Sequence, residues 1–382
     1  MASKFIIPEG TRDLILEDCA IKKKLQRDIE SILDKWGYEE IVTPTIEFYQ
    51  TFNKGFENLE EEDVYKFIDS NGKILVLRPD MTVPIARVVA TKFKNIDETL
   101  RLRYSADVFR VHESLGGKKN EYTDCGVELI GLKAEESDLE ILVTALDTLK
   151  LIKNTDYNLE IGNIDFFNSA IKRARFTDEE RDTLADLIER KSIKELEDYV
   201  DGLETMKECK EFLKQLPLLF GGREIFEKAK PYAFNLELKH SIEYLEKIAD
   251  ALEELGYTDK ITFDLGMVPR LDYYSGIIFK GYTDGVGTTV LSGGRYDKLI
   301  AKFGKDVPAI GFSINIDSMV NVMNESEVET EYKYKVYYGR EHEVQVIQKA
   351  MQLREEGKTV ELVPVRGLNG VDVKKEVKHK WA

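Results

Sequence analysis

The sequence is poor in the residues that staple or metallate a fold. Three cysteines in 382 residues (Cys19, Cys125, Cys209) are too few and too scattered for a disulfide framework or a zinc site. The four histidines, His112, His240, His342 and His379, show no ligand spacing, so neither a metal nor another cofactor is expected. Long apolar runs are missing too. No stretch approaches the roughly 20 residues needed to span a bilayer, and no membrane partner is expected. The opening MASKFIIPEGTRD lacks the apolar core of a secretory signal, which makes the cytoplasm the expected compartment. Cations are in deficit: 55 Lys+Arg stand against 71 Asp+Glu, for a net charge of −16. A polyanion such as nucleic acid is then repelled at long range unless basic residues cluster locally.

What remains is ordinary for a soluble globular chain, with 42% hydrophobic and 33% charged residues, long enough for two or three domains. Ile21, Leu25, Ile29, Ile32, Leu33 and Trp36 fall at helical spacing and predict a helix ending at Gly37. YEEIVTPTIEF (38–48) reads as an edge or interface strand because of Pro44. KILVLRPDMT (73–82) reads as a short buried strand ending in a turn. LRLRYSADVFRV (100–111) and EYTDCGVELIG (121–131) alternate with period two, as half-buried antiparallel strands do. Ser137 with Glu140 predicts a capping box, as do Thr177 with Glu180 and Ser192 with Glu195.

Between about 168 and 256 helical patterns dominate, ending in the stripe Ile242, Leu245, Ile248, Leu252 and Leu255 before Gly256. Strands resume at 261–266, 275–282, 288–294 and 308–314. An acidic link at 324–332 leads to a tail that reads strand, helix, strand. The expected fold is α+β with a mostly antiparallel sheet. The domains are 1–167 with 257–323 as the core, 168–256 as a helical insertion, and 333–382 as a small α/β piece.

Chemistry concentrates on the second strand of the hairpin. Side chains two apart share a strand face, so Tyr122, Asp124, Gly126, Glu128 and Ile130 point one way. Four residues separate the two acids by roughly 13 Å, too far for an acid/base pair on one atom but suited to the two ends of an elongated cationic ligand. A solvent-facing strand edge, where acids cost little, explains the spacing equally well. RLDYYSG (270–276) offers paired phenols to a planar ring, or simply packs one of them in the core. SGGR (292–295) resembles a phosphate cradle only loosely. LRPDMT places Arg78, Asp80 and Thr82 at a strand end, where binding groups gather.

Taken in order, PEGTRD (8–13), GYEEIVTPTIE (37–47), LRPDMT, VFR…EYTDCGVELIG, LDYYSG, SGGRYDKLI and PAIGFSI resemble the catalytic core of class II aminoacyl-tRNA synthetases, specifically the histidyl enzyme, over about residues 5–320. The resemblance implies an antiparallel sheet flanked by helices, a helical insertion, and a homodimer formed through the 37–47 region. It also implies a histidine site. Asp80 and Thr82 would receive the ammonium group, and Arg110 would clamp the carboxylate. Asp124 would stand near the amino-acid backbone. Glu128 with Tyr274 would hold the imidazole, with Tyr273 and Asp272 supporting the wall. Cations that the synthetase uses for ATP align here with Glu113, Lys118, Asn120, Pro269 (beside Arg270) and Ser318.

A histidine pocket without nucleotide machinery is similar to the paralogous family of ATP phosphoribosyltransferase regulatory subunits. That family implies no catalysis of its own, a short-form catalytic subunit as partner in a hetero-octamer, and free histidine as feedback ligand in the first step of histidine biosynthesis. The tail resembles a truncated anticodon-binding domain, and tRNA is not an expected partner. The other readings are an active histidyl-tRNA ligase, or a histidine- or tRNA-sensing module for another partner.

Overall fold

The computed structural model describes residues 6–56, 61–95, 98–111, 119–151, 156–172, 174, 176–268, 273–320 and 332–377. It forms two compact units, residues 1–13 with 25–322 and residues 14–24 with 323–382. Asp272, Glu113, Lys118, Pro269 and Arg270 lie outside the described residues, as does nearly all of the acidic link.

The chain opens with α1 (Leu16–Lys35), β1 (Glu39–Glu40), β2 (Ile46–Phe48) and α2 (Tyr49–Gly55). Next come β3 (Lys66–Ile68), β4 (Ile74–Leu77), α3 (Thr82–Lys92) and the hairpin of β5 (Leu100–Phe109) and β6 (Glu121–Ile130). After α4 (Ala134–Leu149) and β7 (Tyr157–Asn163) follow α5 (Asp165–Ile171), α6 (Asp178–Glu189), α7 (Ile193–Gly202) and α8 (Lys207–Gln215). Then β8 (Phe220–Gly221), α9 (Glu224–Ala229) and α10 (Leu236–Glu254) return the chain to β9 (Ile261–Asp264). β10 (Ile277–Thr283), β11 (Leu291–Arg295), β12 (Ala309–Asn315) and α11 (Ile316–Met319) complete the larger unit. The smaller one holds β13 (Tyr332–Tyr338), α12 (Glu343–Glu355), β14 (Val360–Pro364) and β15 (Val371–Val377).

A sheet ordered β1-β5-β6-β12-β11-β10-β7-β9-β8 forms the frame. Its pairings are antiparallel except β1 with β5 and β7 with β9. The alternation read from 100–111 and 121–131 becomes a ten-residue antiparallel register, with Ala106 opposite Asp124 and Leu102 opposite Glu128. β6 is not an edge, because β12 pairs with its other side, so the solvent-edge reading of the two acids fails. The opposite face of β6 is apolar as expected: Cys125, Val127 and Leu129 are fully buried.

Local signals fared unevenly. α10 carries its stripe inward through Ile242, Leu245, Ile248 and Leu252 and stops at Gly256, whose φ of +85° a glycine adopts without strain. Leu255, assigned to that stripe, is exposed. The Thr177/Glu180 box forms, with Glu180 N donating to Thr177 Oγ1 at 3.2 Å. Ser192 precedes α7, but its side chain caps nothing. The Ser137 box does not exist. α4 starts one turn earlier, with Glu136 Oε2 accepting the Lys133 amide at 3.1 Å. Ser137 is buried inside the helix, where it accepts a 2.6 Å bond from Arg295 Nη2.

The SGGR segment is likewise no phosphate cradle. β11 is laddered on both sides, by β10 and β12. A Cβ on Gly293 would stand 2.5 Å from Gly311 O, and one on Gly294 would stand 2.7 Å from Tyr274 Cε1. These glycines permit close packing. In the smaller unit the tail gains a third strand. β15 pairs antiparallel with β13 opposite β14, while Val336, Val346, Ala350, Leu353 and Val360 form the core.

A second sheet, ordered β2-β4-β3, stands apart from the large one. Its register puts Phe48, Leu75 and Phe67 in line, with Ile46 and Leu77 on the same face. Glu47, on the reverse, is buried and bonded to Arg87 of α3. The expected buried strand at 73–82 is therefore only half-buried, with Val76 inward and Ile74 exposed.

Candidate functional site

The site gathers where the start of α3, the end of β5 and the inner face of β6 meet. Arg78 first fixes the strand end: its Nε donates to Asp107 O at 2.9 Å and its Nη1 to Thr43 O at 2.8 Å. That clamp fixes the backbone leading to Asp80 and Thr82. Asp80 Oδ1 accepts the Val83 amide at 2.9 Å, capping the first turn of α3. Thr82 Oγ1 donates to Glu128 Oε1 at 2.9 Å and lies close enough to Asp80 to influence its carboxyl group.

Glu128 is 1% exposed, and Tyr296 donates to its other oxygen. It fits because Gly311 lies directly opposite on β12. A Cβ there would fall 1.9 Å from Glu128 Oε2. Tyr104, beneath Gly126, supports the same floor: a Cβ on Gly126 would meet its hydroxyl at 2.5 Å. The wall is aromatic. Tyr273 and Tyr274 have ring centroids 4.9 Å apart, and Tyr273 meets Tyr296 edge-on at 6.0 Å and Phe56 at 5.6 Å.

Arg110 is held at its backbone by Asn120 O (2.9 Å), while its Nε donates to Pro79 O at 2.8 Å. Its charge acts on Tyr122, Asp80, Asp124 and Tyr273. Thus Asp80, Thr82, Arg110, Asp124, Glu128, Tyr273 and Tyr274 share one pocket. Thr82 and Tyr296 each bond one carboxylate oxygen of Glu128, the residue expected to hold an imidazole together with Tyr274. Sequence reasoning passed over Tyr104, Tyr296 and Gly311. A glycine inside a strand was the one available signal, since it marks a close approach.

A buried ion cluster borders the pocket. Asp317, on the first turn of α11, receives Arg12 Nη2 at 2.7 Å and the Thr123 amide at 2.8 Å, with Lys119 Nζ 3.7 Å away. Its charge reaches Asp124.

Buried Asp80 and Glu128 and half-buried Asp124 stand close together, which makes ionisation costly. Desolvation pushes Glu128 up to about 8, against hydrogen bonds from Tyr296 and Thr82 that hold it down. Desolvation also raises Asp124, to about 7; Arg110 opposes the rise, and Asp80 and Asp317 add to it. Asp80 is raised by burial as well, against the Val83 amide and Arg110. The folded chain therefore keeps protons that unfolded Asp and Glu release near pH ~4. This contribution to stability is full below that pH and is lost as pH rises through about 7 and about 8. The ligand-free protein should melt at a higher temperature at pH 5.5 than at pH 8.5, with Glu128→Gln flattening the upper part of that slope. A melting temperature that is flat or rising across this range would contradict it.

Among the described residues no cluster of His, Cys, Asp and Glu could hold a metal ion, and no helix is long and apolar enough to cross a membrane. What the site offers is three acids, a guanidinium beside two of them, and a wall of phenols. That combination suits a small ligand carrying an amine, a carboxylate and a flat polar ring.

Comparison with known proteins agrees with this geometry. The family model for histidyl-tRNA synthetase matches residues 10–319. An ATP phosphoribosyltransferase regulatory subunit from Clostridium kluyveri is 39% identical over 362 residues, 93% of this chain and 92% of its own. One from Caldanaerobacter subterraneus is 37% identical over 371 residues, covering 96% and 97%. A crystal structure described as an ATP phosphoribosyltransferase regulatory subunit/histidyl-tRNA synthetase from Bacillus halodurans superposes with a TM-score of 0.85 at 30% identity, over 97% of this chain and 95% of that one. The Nostoc histidyl-tRNA synthetase shares the fold, with a TM-score of 0.76 at 18% identity over 94% and 86% of the two chains. The fold is therefore that of a class II synthetase, and the chain belongs to the ATP phosphoribosyltransferase regulatory subunits, a branch of the histidyl-tRNA synthetase family.

Proposed function

We propose that this chain is the non-catalytic regulatory subunit of an ATP phosphoribosyltransferase, which activates a short-form catalytic subunit and reports free histidine to it. The observation that carries the reading is the balance of charge in the pocket: Arg110 is the one cation among the groups that act most strongly on Asp80 and Asp124, and no cation is among those acting most strongly on the buried Glu128. Such a pocket recognises an amino acid and disfavours a triphosphate. Arg12 and Lys119, the cations beside it, are drawn onto Asp317. Activating histidine with ATP needs preorganised cations, each typically worth ~10²–10³ in rate.

In this reading Asp80 and Thr82 receive the ammonium, Asp124 lies beside it, and Arg110 holds the carboxylate. Glu128 shares one proton with the imidazole, whose own titration lies near neutrality. Coupling to the catalytic subunit is bounded by how differently histidine binds the active and inhibited assemblies, commonly ~1–3 kcal/mol. We assign ligand binding to 1–167 with 257–323, and read 168–256 as an insertion and 333–382 as the remnant of a larger domain. Assembly into a hetero-octamer with the catalytic subunit belongs to the same proposal. The test is twofold. The purified chain should stimulate a short-form catalytic subunit and confer histidine inhibition on it, and should show no histidine-dependent ATP–pyrophosphate exchange. Robust exchange would make it a ligase instead.

The homodimer belongs to the same reading. The outward face of the β2-β4-β3 sheet exposes Ile46 at 47% and Phe48 at 45%, with Phe67 beside them and Val42 nearby. An apolar sheet face of this kind suits burial against a second copy. Ile46→Asp with Phe48→Asp should shift sedimentation from dimer to monomer without altering the far-UV spectrum. A double variant that still sediments as a dimer removes this face as the interface.

A further inference from the structure

A cavity of about 390 Å³ that shares no lining residue with the amino-acid pocket is lined by Asp165, Asn168, Ser169, Lys172, Arg181 and Lys298 together with Ile171. Its floor follows from helical spacing. Residues 165, 168, 169 and 172 fall at i, i+3, i+4 and i+7, so α5 turns one polar face toward the opening while Phe166, Phe167 and Ala170 are buried. Arg181 enters from α6, and Lys298 from the turn after β11.

Charge makes the cavity distinctive. In a chain of net charge −16, three cations and one carboxylate line a single opening, for a local sum of +2. Lys172 has Glu237 at 3.7 Å, both well exposed, a pair of little strength. Neither Arg181 nor Lys298 has an ion-pair partner among the described residues. Lys298 and Lys172 both act on Asp165, which places their charges on the same opening. Three cations held together with so little opposing charge are stabilised by an anion, and a guanidinium beside ammonium groups matches phosphate geometry and charge. The volume falls in the range of small-molecule sites, so there is room for more than a bare phosphate. Asn168 and Ser169 add neutral hydrogen-bonding groups.

We propose that this cavity binds a small phosphate-bearing molecule through Arg181, Lys298 and Lys172. The site has its own lining residues and does not depend on the function assigned to the amino-acid pocket. Inorganic pyrophosphate is the probe, titrated by calorimetry into the full-length chain at low salt. Saturable binding is expected, lowered about tenfold by Arg181→Ala and again by Lys298→Ala, each lost interaction being a charge-assisted hydrogen bond. Both side chains are exposed, so the variants should melt with the wild type. Saturating free histidine should leave the pyrophosphate affinity unchanged. The proposal is overturned if pyrophosphate does not bind, if both variants bind it as wild type does, or if histidine displaces it.

Discussion

Replacing Arg110 with alanine should weaken histidine binding about 10- to 150-fold. The guanidinium is the cation that faces both Asp80 and Asp124, and its removal deletes charge-assisted hydrogen bonds worth ~1.5–3 kcal/mol. Glu128→Ala should cost a similar amount from the other end of the ligand. The two variants should differ in their pH behaviour. Without Arg110 the lowering influence on Asp124 disappears, so the fall in stability toward alkaline pH should steepen. Without Glu128 the highest-titrating of these acids is gone, and the fall should become shallower. Calorimetric affinities equal to wild type for both variants would show that histidine binds elsewhere.

Arg295→Ala should destabilise the larger unit by ~3–5 kcal/mol. This side chain is almost completely buried. Its Nε donates to Asp138 Oδ1 at 2.9 Å, its Nη1 to Asp297 Oδ1 at 2.9 Å and to Leu132 O at 3.3 Å, and its Nη2 to Ser137 Oγ. Asp138, equally buried, also accepts Tyr244 OH of α10 at 2.7 Å. The network ties β11, α4 and α10 together, and removing the cation strands a carboxylate in the interior. Burial already raises Asp138 against the arginine, so the stranded acid should take up a proton and the loss should be smaller at low pH. Exchanging both partners, Arg295→Met with Asp138→Leu, should cost much less, because it leaves no fully buried charge unpaired, Asp297 being part-exposed. Urea unfolding of the single and double variants decides it: equal losses in both would mean that packing, not charge, sets the cost.

The parts of the fold that the sequence announced share a cause: their signal is periodic and local. The alternation in β5 and β6, the stripe of α10 and the Thr177 box each need only neighbours within a few residues. The failures needed distant partners. Ser137 and Glu140 had the spacing of a cap, but Glu136 won the Lys133 amide, and Ser137 serves Arg295 across 158 positions. β15, VDVKKEV, hid because its charged residues alternate with only three valines on a small sheet. The paired glycines of β11 looked like a ligand loop, when their cause is the bulk of Phe279, Phe312 and Tyr274 pressed against the backbone.

For the site, acids and tyrosines on one strand face were legible, but their burial was not. Whether Asp124 and Glu128 meet solvent depends on β12, which arrives some 180 residues later in the chain. Tyr296 and Tyr104 carry no sequence mark that separates a phenol touching Glu128 from one that merely packs.

Gly311 has one more implication. The carboxyl group proposed to read the ligand's ring belongs to β6, yet permission for it to lie there is granted by a residue on β12 to which the proposal gives no contact with the ligand. A lone methyl at 311 would evict Glu128 while leaving every binding residue spelled as before. In the proposed reading, a chain of this architecture with alanine at that place should lose the ring's acceptor, however intact its roster of site residues looks.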